Sequence, residues 1–130
     1  MLARSFAVLA TLFLASAAFA GERFAPIAHG DLKAAIAEHK VVLLDANGSD
    51  SYRQGHIPGA IDFSADAGKL ASLLPADKST LIVAYCANEA CGAYAFAAEA
   101  ARKLGYTNVK HYSPGIAGWK QSGEKVEKTS

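Results

Sequence analysis

The chain has 130 residues, with 13 Lys+Arg against 12 Asp+Glu, two cysteines and a hydrophobic share of 52%. That length fits one domain, and the apolar share is enough for a packed core rather than a disordered chain. Near-neutral charge without a basic run excludes a nucleic-acid footprint and a polybasic membrane surface.

The first twenty residues stand apart. Arg4 supplies one positive charge, Phe6 to Ala15 is apolar except for Thr11, and Ala18-Phe19-Ala20 forms a small-residue cleavage pattern before Gly21. This is the three-part layout of a secretory signal peptide. The expected division is residues 1–20 as signal peptide and 21–130 as one domain. The apolar stretch is short for a membrane span, and no later segment qualifies as one. Cleavage after Ala20 would remove Arg4, the sole basic residue in that segment, and bring the charges into balance. The expected location is periplasmic or secreted, with no membrane contact after cleavage. In such an oxidising compartment a disulfide between Cys86 and Cys91 has to be considered.

Phe24-Ala25-Pro26-Ile27 reads as a short edge strand, because proline removes a ladder donor. Asp31 is placed to cap a helix with Leu32, Ala35, Ile36 and His39 at helical spacing, His39 as a surface or boundary residue. Val41 to Asp45 is an apolar run ending in a carboxylate. Asn47-Gly48-Ser49-Asp50 is a turn cluster, with Ser49 or Asp50 placed to cap a short helix through Arg53. Ile61-Asp62-Phe63 follows as a short strand, and Ala67 to Leu74 as a modest helix closed by Pro75. Val109 to Tyr112 is a last strand, Ile116 to Gln121 a last helix, and Gly123 to Ser130 a charged tail expected to fray.

The remaining stretch organises the others. Leu81-Ile82-Val83-Ala84-Tyr85 runs straight into Cys86, and a short loop of Ala87, Asn88, Glu89 and Ala90 leads to Cys91 and Gly92. A continuous apolar run with a sharp end is the pattern of a strand buried on both faces of a parallel sheet. Gly92 to Leu104 reads as the helix after it, with Tyr94, Ala97, Ala98, Ala101 and Leu104 on one face and Gly105 closing it. Strands alternating with helices indicate a doubly wound α/β domain. Cys86 then stands at the C-terminal end of a central strand, where open α/β sheets place their ligand sites. Loop amides and a helix N-terminus there favour a thiolate or persulfide. Asp45 also ends a strand; it is either a neighbour of Cys86 or a structural carboxylate holding loop amides.

These residues resemble the rhodanese-like sulfurtransferases. The resemblance lies in Val42-Leu43-Leu44-Asp45 followed by Ser51-Tyr52-Arg53-Gln54-Gly55-His56-Ile57-Pro58-Gly59-Ala60-Ile61, in Tyr85-Cys86, and in Gly115-Ile116-Ala117-Gly118-Trp119, in that order. It covers about residues 24 to 122. It implies a mainly parallel five-stranded sheet with helices on both faces, and a cysteine, here Cys86, that takes up a sulfane sulfur as a persulfide and passes it to a thiophilic acceptor. The implied partners are a small sulfur donor and a thiol or persulfide acceptor, either a small molecule or a partner protein, with the chain as a monomer. No cofactor is implied. The sequence departs from the family pattern twice. Asn47 stands where an arginine usually follows the strand-end aspartate. The loop from Ala87 to Cys91 holds one acid, Glu89, and no base, whereas thiosulfate-using members commonly carry Arg or Lys there. A phosphatase relative of this fold needs a longer loop and an arginine to clamp phosphate, and Gly92 stands at that place.

Cys91 has three open readings. It could resolve a persulfide on Cys86, form a redox-active disulfide with it, or serve only as a structural staple or a small packing residue. A disulfide needs the two Cα atoms within about 7 Å. Cys86, Cys91 and His111 lack the spacing of a zinc site, and no metal is expected. His56 reads as a structural hydrogen-bonder within its turn and Trp119 as a packing anchor. The expected function is sulfur transfer through Cys86. The alternatives are a thiol–disulfide redox protein using Cys86 and Cys91, and a non-catalytic sensing or binding module on the same fold.

Overall fold

The computed structural model describes residues 23–130, so the signal peptide expected at 1–20 and the cleavage before Gly21 lie outside the described residues. In chain order the elements are β1 (Ala25–Pro26), α1 (His29–Ala37), β2 (Val41–Asp45), α2 (Ser49–Gln54), β3 (Ile61–Asp62), α3 (Phe63–Asp66), α4 (Leu70–Leu73), β4 (Leu81–Tyr85), α5 (Tyr94–Lys103), β5 (Val109–His111) and α6 (Gly115–Gln121). A 3-10 turn over Ala67–Lys69 joins α3 to α4.

The unbroken apolar composition of β4 suits the middle of the sheet. The strand order is β1-β5-β4-β2-β3 and every pairing is parallel. Val41 to Asp45 aligns residue by residue with Leu81 to Tyr85, and Ala84 aligns with His111. Successive side chains of a strand leave on opposite faces. Leu44, Ile82 and Ala84 therefore join Leu70 of α4 and Ala97, Ala98 and Ala101 of α5, while Leu43, Val83 and Tyr85 join Leu32 of α1, Ile57, Tyr112 and Trp119 of α6. Burying a side chain the size of Ile82 or Val83 stabilises the fold by roughly 1.5–3 kcal/mol. The three fully buried alanines leave α5 little side chain between its backbone and the sheet.

Several local expectations are corrected. Asp31 lies in the first turn of α1, which begins at His29 after Ala28, and makes no cap. Gly48, not Ser49 or Asp50, stands at the α2 N-cap, without a side-chain cap bond. The modest helix expected from Ala67 begins earlier and is broken. The Asp62 carboxylate accepts from the Ser64 and Ala65 amides at 3.1 and 3.3 Å, which starts α3 at Phe63. The path then tightens through Gly68 before α4 buries Leu70. The tail expected to fray is pinned. His56 and Glu127 exchange two backbone hydrogen bonds of 2.9 Å, the Trp119 indole donates to the Lys125 carbonyl at 2.8 Å, and Val126 packs on the Trp119 side of the core.

Candidate functional site

Cys86 follows the last residue of β4 and is 2% exposed. Its position is held from the side of α6. The Ile116 amide donates to the Cys86 carbonyl at 2.9 Å and the Ala117 amide to the Ala87 carbonyl at 3.0 Å. The first amides of a helix have no partner within it, so α6 spends two of them on this loop. Gly115 makes the approach possible. Its φ is +62°, and a Cβ there would sit 2.6 Å from the Cys86 carbonyl oxygen. Gly118 is likewise confined, since a Cβ would lie 2.2 Å from Pro114 Cβ. Gly115 thus sets the fit of α6 against the loop, and Gly118 makes room for Pro114 at the start of the same helix.

The loop is turned by Asn88. Its carboxamide oxygen accepts from the Ala90 amide at 2.9 Å and its carbonyl from the Cys91 amide at 3.1 Å. Those two amides are therefore occupied within the loop rather than directed at Cys86. The turn brings Cys91 back to Cys86. Their Cα atoms are 6.3 Å apart and the two side chains form a disulfide, so the packing-only reading of Cys91 does not describe this state. Glu89, Ala90 and Gly92 are exposed along the loop.

Behind the loop, Asp45 and Tyr85 form a buried chain of hydrogen bonds. The Asn47 amide donates to Asp45 Oδ1 at 2.8 Å, the Tyr85 hydroxyl donates to Asp45 Oδ2 at 2.7 Å, and the Ile57 amide donates to the Tyr85 hydroxyl at 3.0 Å. Burial pushes the Asp45 carboxyl up, opposed by the Asn47 amide and the Tyr85 hydroxyl. Burial and the adjacent Asp45 push the Tyr85 phenol up strongly. Asp45 thus holds the Asn47 loop amide and the Tyr85 hydroxyl. Tyr85, which it fixes, is the residue before Cys86. His56 is buried and belongs to a different join. Its Nδ1–H donates to the Tyr52 carbonyl at 2.8 Å, its ring stacks on Tyr52 at 3.7 Å, and Nε2 lies 3.6 Å from Glu127.

Two hollows flank the loop and share Glu89 and Ala90. One, of about 460 Å³, runs along Asn88, Pro114, Ala117, Gly118 and Gln121. The other, of about 230 Å³, is lined by Cys91, Gly92, Tyr94, His111 and Ser113. Tyr94 stacks on His111 with ring centroids 4.3 Å apart. Sequence reasoning took Tyr94 as a helix-face residue and His111 as a strand residue and left Ser113 aside. The available signal was positional: His111 ends β5, which lies beside β4, so it reaches the same C-terminal edge of the sheet as Cys86.

A family model described as the rhodanese-like domain matches residues 28–122. The chain belongs to the rhodanese-like domain family. The five parallel strands of this rhodanese-like domain recur in solved structures. The rhodanese-like domain from an Anabaena sp. protein is 28% identical, with 75% of this chain and 74% of that one covered and a TM-score of 0.60. A thiosulfate sulfurtransferase from Pseudomonas aeruginosa is 24% identical, with 82% of this chain but 21% of that one covered and a TM-score of 0.64. A 3-mercaptopyruvate sulfotransferase from Escherichia coli is 20% identical, with 82% of this chain and 51% of that one covered and a TM-score of 0.64. No curated protein matches the chain in sequence. The likeness of the last two structures concerns the fold.

Proposed function

We propose that this rhodanese-like domain is an exported sulfurtransferase, periplasmic or secreted, that carries a sulfane sulfur as a persulfide on Cys86. The Cys86 thiolate attacks the outer sulfur of a small donor and expels the rest of the donor as its anion. A thiophilic acceptor then attacks the terminal sulfur and returns Cys86 as a thiolate. The observation that carries this reading is the placement of Cys86. It directly follows the central strand, in a loop clamped by the first amides of α6, in a chain of this family. The test is a sulfurtransferase assay on Cys86→Ser beside a circular dichroism melt. A folded variant without transfer is expected, and a folded variant that retains wild-type transfer would remove Cys86 from the mechanism.

The Cys86–Cys91 disulfide favours a second step at the same site. With a persulfide on Cys86, the Cys91 thiolate can attack Cys86 Sγ and expel hydrosulfide. The sulfane sulfur is reduced to sulfide and the two cysteines are oxidised to the disulfide. In this reading the disulfide is the spent form of the carrier.

A further inference from the structure

The disulfide must be opened before Cys86 can take up sulfur, and its two sulfurs are not equivalent. Cys86 is 2% exposed beneath the clamp of α6, whereas Cys91 is half-buried and lines the 230 Å³ hollow. A thiolate attacks a disulfide in line with the S–S bond, from behind the sulfur it joins, so access decides which sulfur reacts. We infer that an external thiol opens this site by attacking Cys91 Sγ from the hollow formed by Glu89, Gly92, Tyr94, His111 and Ser113, and that the site selects neutral or cationic thiols over anionic ones. The selection comes from Glu89, the one carboxylate among the residues lining that hollow, which has no lysine or arginine in its lining.

The step balances as follows. The thiolate forms a bond to Cys91 Sγ, the Cys86–Cys91 bond breaks, and Cys86 leaves with the electron pair as a thiolate. A second thiolate attacks the external sulfur of the mixed disulfide and releases Cys91. Two external thiols become one disulfide, the two cysteines are reduced, and the thiol protons pass to solvent. Cys86 is thus freed first, while Cys91 is still blocked by the external thiol. A donor arriving then would meet a carrier thiolate whose resolving partner is unavailable. This purpose rests on the proposed reading of Cys86. The opening itself needs no persulfide, so it and sulfur transfer can fail separately.

The test uses the oxidised protein with cysteamine, an acid quench, alkylation of free thiols and tandem mass spectrometry. Cysteamine on Cys91 with the alkyl group on Cys86 should exceed the reverse pattern by about tenfold, given the difference in access. Per thiolate present, cysteamine should open the disulfide about threefold or more faster than thioglycolate, and Glu89→Gln should narrow that ratio. Adducts on Cys86, an even split, a ratio near one, or no intramolecular disulfide in an oxidising glutathione buffer would each overturn the inference.

Discussion

Glu89 is the residue on which substrate choice turns. It is exposed in a loop that carries no basic side chain between Cys86 and Cys91, and it borders both hollows that flank the loop, one of them lined by Cys91. A dianionic donor meets a like charge there without a counter-charge from the loop. Thiosulfate should therefore have a lower kcat/KM than neutral or thiol-bound persulfide donors, and Ala87→Arg should raise it. Thiosulfate emerging as the best donor would show that positive charge reaches the site from another part of the fold. Tyr85 is the second residue with a distinct expectation. Tyr85→Phe leaves the Ile57 amide and Asp45 Oδ2 without the hydroxyl that now bridges them inside the core. The loss should be about 1–3 kcal/mol in a denaturant melt, because buried groups are left unsatisfied. A change within the error of the melt would mean that water or a shifted backbone restores both bonds. Cys91 yields a kinetic expectation. If it resolves Cys86, a persulfide on Cys86 should persist longer in Cys91→Ser than in wild type. Equal lifetimes would confine Cys91 to the disulfide alone.

Among elements, α6 does more for the site than its seven residues suggest. Its first amides hold the carbonyls of Cys86 and Ala87, and Gly115 admits that contact. Gly115→Ala should cost more than about 2 kcal/mol, combining a left-handed φ with a clash against the Cys86 carbonyl. It should also lower sulfur transfer in whatever fraction stays folded. Unchanged activity and melting would show that the clamp is dispensable. The central elements were legible because their signals are local and strong. The apolar runs of β2 and β4 admit little but buried parallel strands, and the alanine spacing of α5 fixes its inner face. Cys86 was legible for the same reason, since a strand end and a cysteine coincide. The α3–α4 region was not, because its start is set by the Asp62 carboxylate and its break lies at a glycine, neither of which alters helical periodicity. The pairing of Cys91 with Cys86 was also undetermined. It depends on the Asn88 turn, and spacing alone does not give the 6.3 Å separation of their Cα atoms.

Across the whole molecule, the C-terminal tail ties α1, α2 and α6 together. Lys33 Nζ lies 2.8 Å and His29 Nε2 3.3 Å from Glu124 Oε1, while Glu127 pairs with His56 and Trp119 donates to Lys125. His29, Lys33 and His56 are remote in sequence from the tail residues they hold, which is why a charged, glycine-led tail reads as frayed. The hydrogen bond from Lys33 holds the Glu124 carboxyl below its usual range, helped by His29. A depressed carboxyl contributes stability that is present above its unfolded value and lost as pH falls through its folded value. Fluorescence of Trp119, the only tryptophan, should therefore shift as pH drops below about 4.5, the usual glutamate range. The shift should disappear in Glu124→Gln. An identical transition in that variant would assign it to another group.

The central claim is that Cys86 carries sulfur. The most direct measurement is the intact mass of the reduced protein after exposure to a persulfide donor, with peptide mapping of the added sulfur. Cys91→Ser should gain one sulfur, located on Cys86 and removable by a thiol acceptor, and Cys86→Ser should gain none there. No added sulfur on Cys86 of the folded, reduced Cys91→Ser protein, or sulfur transfer that proceeds without it, would contradict the account.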